Sequence, residues 1–350
     1  MSSGYTESFR SHANYLRAFA MLCTAPYEED VTVPSVSLSD RFARLAPAVL
    51  ANPSTGRSEG AQADLSQTRT SLINAWGTEL LLALGGQVAT DEELLRLMNN
   101  WAVVQAYYTS YHAIQALLVA RGDARPESHP KTQGQFASLW AGRAIDLPPW
   151  TLGARDGGWC NLGSRQIDNS LNPWSSCDSQ SCWSLAAKAL RTTREDAVRD
   201  RLRRARQRKE SVNRKAWDDE ERARLGAGRR PRKEPNWSLP RLNADEKSQV
   251  HRKVRAYTIL DYLYRLRIKT NYQDAAMFIE GPEDEITSRR VHEDLVAIAG
   301  CTLLAHELEI ARIVGRDQML RWADDWLGPN AHGQRLGLAL RRDLIASQRL

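Results

Sequence analysis

Residues 107 to 122 read YYTSYHAIQALLVARG and form the most apolar part of one long predicted helix. Apolar side chains occur on most sides of that helix, and a helix of this kind is buried inside a bundle. Gly122 is expected to end it, because glycine is common just past helix C-termini. Thr90 is expected to cap its start, with acidic residues in the first turn. The stretch therefore predicts a long buried helix at the centre of a helical bundle.

A polar stripe runs along this helix. Gln105, Tyr108, His112 and Gln115 follow one another at intervals of 3, 4 and 3 residues, which places them on one face. The stripe is either one wall of a binding site or a buried hydrogen-bond network that fixes how the helices pack. If it is a site, further groups are expected from a facing helix and a loop: Arg265, Arg267, Asn271, Tyr272 and His129.

Helical signals dominate the rest of the chain, so the fold class is expected to be all-α. Gly85-Gly86 is expected to end a helix that begins at Leu65, and Asn243 to cap a helix that runs to about Tyr272. Pro26 and Pro34 are expected to bound an irregular stretch. Residues 147–182 break the helical pattern, and a long irregular segment is expected there. It is either a partly mobile insert or an ordered elaboration held by four tryptophans: Trp150, Trp159, Trp174 and Trp183.

Basic charge is concentrated in one segment. The whole chain carries +6, whereas residues 188–233 hold 18 Lys/Arg against 8 Asp/Glu, a difference of +10, so the remainder sums to −4. A helix with arginines on every face either contacts nucleic-acid phosphates or is simply solvated beside its acidic neighbours. The candidate phosphate-binding residues are Arg199, Arg203, Arg204, Arg206 and Arg208.

Several classes of protein lack support in the sequence. No window approaches the roughly 18 apolar residues of a membrane span, and no secretory signal is recognisable, so we expect free thiols and a cytoplasmic location. Cys160, Cys177 and Cys182 lack the close pairing of a zinc site, so no metal is expected. Phosphate-binding loops, dinucleotide fingerprints and nucleophile elbows are absent, and no cofactor is expected.

Two blocks of the chain carry a recognisable family pattern. The first reads Ala106, Tyr107, Tyr108, Tyr111, His112, Ala113, Ala116, Leu117, Leu118 and Gly122, followed by His129 and Phe136; the second reads Arg265 or Arg267, followed by Asn271 and Tyr272. Together they resemble the HEPN family (higher eukaryotes and prokaryotes nucleotide-binding). The resemblance covers about 150 of the 350 residues, in two blocks.

The resemblance implies an antiparallel bundle of four to five helices with a Trp-rich, basic insertion between its two halves. The boundaries that follow are an N-terminal helical extension (1–60), the first half of the bundle (61–144), the insertion (145–244), the second half (245–327) and a C-terminal tail or helix (328–350). It also implies a homodimer, with RNA or a protein encoded nearby as the partner.

The resemblance further implies metal-independent RNA cleavage in a prokaryotic defence or toxin–antitoxin system. Nuclease members carry an Arg and a His with four to six residues between them, and no histidine of this chain has that spacing; His129 comes nearest, with three residues between it and Arg125. A site assembled from separate helices would use His112, His129, Arg267 and Tyr108, since histidine moves protons near neutral pH and arginine holds phosphate. Tyr272 is a candidate modification target, as in silenced members of the family. The alternatives are a non-catalytic dimerising scaffold or partner-binding subunit, and then a ligand sensor.

Overall fold

The computed structural model describes residues 2–23, 37–174, 176–274, 276–328 and 337–348. The all-α prediction is confirmed, with 70% helix and 2% strand. The predicted irregular stretch between Pro26 and Pro34, and residues 329–336 of the predicted C-terminal tail, lie outside the described residues. The domain boundaries given above remain predictions.

The N-terminal half contains five α-helices, a π-helical turn and a short hairpin of two antiparallel strands. Their bounds are α1 (Ser2–Leu22), α2 (Leu38–Ala51), α3 (Leu65–Val88), α4 (Glu92–Ala120), α5 (His129–Phe136), the π-helical turn (Ala137–Ala141), β1 (Gly153–Arg155) and β2 (Gly158–Cys160).

The C-terminal half contains seven α-helices and a second π-helical turn among the described residues. Their bounds are α6 (Cys182–Gly226), α7 (Ala244–Arg252), α8 (Ile259–Ile268), the π-helical turn (Lys269–Gln273), α9 (Met277–Glu280), α10 (Glu285–Val314), α11 (Arg316–Leu327) and α12 (Gly337–Ser347).

The core surrounds α4, as the sequence predicts. α4 pairs with α3 as a helical hairpin and packs against α10 and α8, and α1 joins the same core through α6 and α10. Trp76, Tyr107, Trp140 and Trp150 are among the largest fully buried side chains. Burying each of them stabilises the fold by roughly 1.5–3 kcal/mol or more, because apolar surface leaves water.

The prediction that Gly85-Gly86 ends α3 is wrong, because the helix continues to Val88. Gly86 instead faces His292 of α10, where an added Cβ would lie 2.5 Å from the imidazole ring. Glycine is therefore required here for close packing between two helices. The Gly85-Gly86 pair therefore marks a close approach of two helices and not a helix end.

Two other helix boundaries differ from expectation. Asp91, one residue after Thr90, caps α4, and its carboxylate accepts from the backbone N–H of Leu94 at 2.8 Å. Asn243 caps α7 through a capping box with Glu246, as predicted, but the helix ends at Arg252 instead of running to Tyr272. A new helix, α8, begins after Thr258, whose capping box with Asp261 restarts the helical hydrogen bonding.

The Trp-rich segment is more ordered than its composition indicates. Trp150 is fully buried, and its indole N–H donates to the hydroxyl of Thr302 at 3.0 Å. Trp159 of β2 lies beneath the guanidinium of Arg191, at 4.7 Å. Since both contacts reach helices distant in the chain, the hairpin is fixed against α10 and α6.

Candidate functional site

A cluster of aromatic rings fills the space between α4, the start of α5 and the end of α8. We call it the tyrosine–histidine cluster, and its members are Tyr107, Tyr108, Tyr111, His112, His129, Tyr264 and Arg267. Three stretches of chain meet here because α4 packs on α8, and α5 follows α4 after a short loop. The cluster therefore brings together side chains that are up to 160 residues apart, from Tyr107 to Arg267.

Arg267 occupies the middle of the cluster. Its guanidinium donates to the hydroxyl of Tyr108 at 3.0 Å and lies 5.3, 5.4 and 5.1 Å from the ring centres of Tyr107, Tyr108 and Tyr264. Within the described part of the chain it forms no ion pair with a carboxylate. Arg267 is thus held by ring faces, which leaves its positive charge without a neutralising partner there.

His129 begins α5 and bonds to the buried Tyr107. Its Nδ1 lies 2.7 Å from the Tyr107 hydroxyl. Burial, together with the Arg267 cation, lowers the pKa of His129, while burial raises the pKa of Tyr107 above its usual value. At neutral pH the phenol of Tyr107 therefore keeps its proton, and the imidazole of His129 is neutral.

His112 is uncharged at neutral pH as well. Its ring stacks on Tyr108 at 6.1 Å, and burial, followed by the nearby Arg125 cation, lowers the pKa of His112 to about 4. Gln115, next along the stripe, donates to the hydroxyl of Tyr111 at 2.9 Å and accepts from Arg125 at 3.2 Å. Gln115 thus has the partners that a packing network requires.

The structure brings together the four residues expected to form a site, namely Tyr108, His112, His129 and Arg267. Arg265 is not among them, since it points to Asp196 of α6 at 3.9 Å. Tyr272 lies in the second π-helical turn and is 75% exposed.

Two ring partners of Arg267 were not assigned from the sequence. Tyr107 was quoted in the family pattern without a role, and Tyr264 was not singled out. Tyr264 precedes Arg267 by three residues, and this i, i+3 spacing on α8 is the signal that could have found it.

The chemistry open to the cluster follows from its charges. Two neutral imidazoles accept protons at neutral pH, and the Arg267 guanidinium attracts an anion. Neither histidine is charged at that pH, so the cluster has a candidate general base but no imidazolium acid. Tyr108 and Tyr264 are half-buried, which brings the cluster to the protein surface.

His306, on the last long helix, is a core residue. It is fully buried, its Nδ1 lies 2.6 Å from the carbonyl oxygen of Thr302, and Trp140 donates to its Nε2 at 3.2 Å. Burial lowers the pKa of His306 to about 4. Both ring nitrogens are satisfied by the protein, so His306 has a structural role.

The basic segment forms a protruding arm. Helix α6 is buried up to Val198, whereas beyond that residue Glu221 is its only buried position among those described. Residues 229–243 then fold back along the outer half of α6, and we call them the strap. Arg232 of the strap pairs with Glu221 at 2.7 Å, and Trp237 packs edge-on against Trp217. The strap therefore stabilises a helix that has left the core.

The predicted phosphate-binding arginines differ in their surroundings. Arg199 pairs with Asp196 at 3.1 Å, and Arg203 pairs with Asp200 at 3.3 Å. Arg206 is half-buried. Arg204 and Arg208 are exposed and have no carboxylate partner among the residues that the structure describes.

Lys215 extends the exposed cations of α6 into a line. It too is exposed and has no carboxylate partner within the described residues. Arg204, Arg208 and Lys215 lie within about 40° of one another around an ideal helix and span roughly 16 Å along it. Lys209 and Trp217, which contact α7 and the strap, lie on other sides. We call this line the outer basic face of α6.

Other kinds of site find no support in the described residues. No group of three or more of their His, Cys, Asp and Glu side chains is placed to bind a metal ion, and the five cysteines form no disulfide bond. None of the described helices is long and apolar enough to cross a membrane.

No protein-family model, curated protein or solved structure matches the chain. Its function therefore has to be inferred from the residues and their geometry.

Proposed function

We propose that this protein binds RNA through the outer basic face of α6, and that its helical body is HEPN-like. The observation that carries the proposal is the line of unpaired cations Arg204, Arg208 and Lys215 on a helix held away from the core. Each cation placed on a backbone phosphate releases a counterion, which favours binding irrespective of sequence. Because none of these three cations forms an ion pair within the described residues, this face neutralises phosphates without first breaking ion pairs.

The HEPN-like resemblance supports the biological setting of this proposal. It favours a role beside RNA in a prokaryotic defence or toxin–antitoxin system, with a second copy or a neighbouring gene product as partner. The all-α fold agrees with it at the coarse level.

Replacing Arg204, Arg208 and Lys215 with alanine should weaken RNA binding and reduce its salt dependence. Three lost phosphate contacts lower the slope of log affinity against log salt by about 2 and the affinity near 0.1 M salt by roughly a hundredfold. Fluorescence anisotropy with an unstructured single-stranded RNA over a range of KCl concentrations measures both quantities.

The matched control removes three cations of the same helix that are already paired. Arg203, Arg214 and Arg222 bond to Asp200, Glu210 and Asp219. Their replacement with alanine changes the net charge equally but should change the salt slope less. Equal slopes for both triple variants would contradict the proposal, as would wild-type binding that does not respond to salt.

The tyrosine–histidine cluster favours a second candidate function, metal-independent RNA cleavage. The supporting observation is that Arg267 and His129 meet beside Tyr108, although no local Arg–His motif links them in sequence. In this role neutral His129 takes the proton of the RNA 2′-hydroxyl as the 2′-oxygen attacks phosphorus, and Arg267 stabilises the developing phosphate charge. The bond from phosphorus to the 5′-oxygen breaks, and the leaving 5′-oxygen takes its proton from water. Tyr272, exposed nearby in the chain, remains the candidate modification target.

If the cluster cleaves RNA, His129→Ala should lower the rate by about 10² to 10⁴ in the presence of EDTA. The wild-type rate should be flat around and above neutral pH and fall in acid as the pH drops through the lowered pKa of His129, because the base is then protonated. Gel assays of RNA cleavage across pH measure both effects. His306→Ala changes a buried histidine outside the cluster. If the loss of cleavage is specific to the cluster, this variant should keep more activity than His129→Ala. If the wild-type protein cleaves no RNA, the non-catalytic scaffold is favoured instead.

A further inference from the structure

A second basic surface lines an open cavity of about 620 Å³ between the β1–β2 hairpin, the first half of α6 and the end of α7. Four arginines border it: Arg155 from the hairpin and Arg191, Arg194 and Arg199 from α6. Two carboxylates, Asp156 and Glu195, also border it, together with His251. With His251 counted as neutral, the lining carries a formal charge of +2, from four cations and two anions.

Arg194 is the most informative residue of this cavity. Its side chain is only 8% exposed, and its guanidinium donates to the carbonyls of His251 at 2.9 Å and Val254 at 3.3 Å. The nearest carboxylate, Asp156, is 3.7 Å away and half-exposed, and the Nε of Arg194 is buried without a hydrogen-bond partner. A buried cation requires a close counter-charge, and Asp156 neutralises Arg194 only in part. An anion bound in the cavity would complete the neutralisation.

Arg155 stands at the rim without a partner of its own. Its residue is exposed, and its side chain makes no hydrogen bond or ion pair within the described ranges. The turn beside it contains Gly157, whose backbone has φ +67° and open space around the Cβ position. The rim can therefore admit a ligand without displacing any side chain of the turn.

We propose that this cavity binds a phosphate monoester, with its phosphate between Arg155 and Arg194. A phosphate monoester carries about −1.5 to −2 charge at pH 7, which matches the formal +2 of the lining better than a single carboxylate does. Guanidinium groups bind phosphate in bidentate geometry. The volume falls in the range of about 300–1,000 Å³ that small-molecule sites occupy, so it also holds the organic part of the ligand, against Val198 and Leu202.

The cavity is separate from the outer basic face of α6. Val198 and Leu202 lie roughly 120° to 160° around the helix from Arg204. The phosphate has two sources with the same chemistry, a free nucleotide or sugar phosphate and the 5′-phosphate end of an RNA. Their binding can be measured separately.

Isothermal titration of the full chain with a nucleoside 5′-monophosphate tests the proposal. The wild type should give saturable binding that inorganic phosphate displaces. Arg155→Gln should weaken this binding by about tenfold or more, because one charge-assisted contact is lost. Arg155 has no partner in the described structure, so the variant should keep the wild-type melting temperature. Arg229→Gln, which changes an exposed strap arginine without a side-chain partner, should bind as the wild type does.

A second titration compares 5′-phosphorylated and 5′-hydroxyl RNA in the variant that lacks Arg204, Arg208 and Lys215. A preference for the phosphorylated end that Arg155→Gln abolishes assigns the site to RNA ends. Binding of the free monophosphate without such a preference assigns it to a small molecule. Absence of saturable binding of either probe by the wild type, or equal binding by Arg155→Gln, overturns the proposal. Neither of these two results bears on RNA binding by the outer basic face of α6, which the salt dependence of binding tests separately.

Discussion

Replacing Arg341 with methionine is expected to lower the free energy of unfolding by about 3–5 kcal/mol. Arg341 of α12 is completely buried between Glu79 of α3 and Glu307 of α10. Its Nε donates to Glu307 at 2.8 Å and its Nη2 to Glu79 at 2.8 Å. Methionine fills similar space but leaves two buried carboxylates facing each other without a cation. Urea unfolding, followed by the midpoint at constant m-value, measures the loss.

The charge balance around Arg341 explains why the effect should be large. Burial alone would lower the pKa of Arg341, but the two carboxylates raise it overall, so the guanidinium stays charged. Trp76 also donates to Glu307 at 2.7 Å, which ties the ion pairs to the core. In the variant, protonation of a carboxylate relieves the repulsion, so the deficit should be smaller at pH 5 than at pH 8.

Arg342, the next residue of the same helix, provides the control. It pairs with Asp324 at 2.8 Å, but this pair lies at the surface, with Arg342 half-buried and Asp324 about half-exposed. Exposed pairs contribute about 0–1 kcal/mol, so Arg342→Met should leave the unfolding midpoint nearly unchanged. If both methionine variants lose the same stability, the buried ion pairs do not hold α12 in place.

The central helix and its end were predictable because their signals are local. The run from Tyr107 to Gly122 encodes apolar periodicity and a helix stop within a few residues, and α4 follows both. Asn243 with Glu246 is a local capping pattern, and it also appears as predicted. Such features depend only on residues that are close together in the sequence. A single sequence is therefore enough to predict them.

The contacts that create the candidate sites were not predictable in the same way. Glu79 lies 262 residues and Glu307 34 residues before Arg341, and no local pattern distinguishes a buried glutamate from a solvated one. The Gly85-Gly86 pair is typical of a helix end. Glycine is needed at position 86, however, because the ring of His292, about 200 residues away, packs against it. For the tyrosine–histidine cluster, the polar stripe of α4 was visible, whereas its meeting with Arg267 depended on how α8 packs.

The basic segment was predictable only in part. Its net charge and its helical character are evident from the sequence, and α6 carries most of the basic segment, from Cys182 to Gly226. Which arginines are paired depends on the rotamers along the helix and on the strap, so Arg199 and Arg204 look alike in sequence and differ in the structure.

Replacing Gly122 with alanine is expected to destabilise the protein by roughly 2–5 kcal/mol. Gly122 has φ +86°, a conformation that costs a residue with a Cβ about 1–2 kcal/mol. It closes α4 by donating to the carbonyl of Val119 at 3.0 Å, while Asp123 donates to Leu118 at 2.9 Å. An added Cβ would also lie 2.5 Å from the Cβ of Ala61, so overpacking adds to the strain. Thermal and urea unfolding measure the loss.

Gly228 separates the two causes, because it closes α6 with the same backbone motif. It has φ +72°, donates to Leu225 at 3.0 Å, and is followed by Arg229 donating to Arg224 at 3.1 Å. No atom lies within 4 Å of its Cβ position. Gly228→Ala should therefore cost only the conformational strain of about 1–2 kcal/mol, and that loss falls on an exposed arm. If Gly122→Ala were no worse than Gly228→Ala, the loop that carries Ala61 would not pack against the end of α4. The larger loss that we expect at Gly122 means that the glycine ending YYTSYHAIQALLVARG also sets where that loop docks.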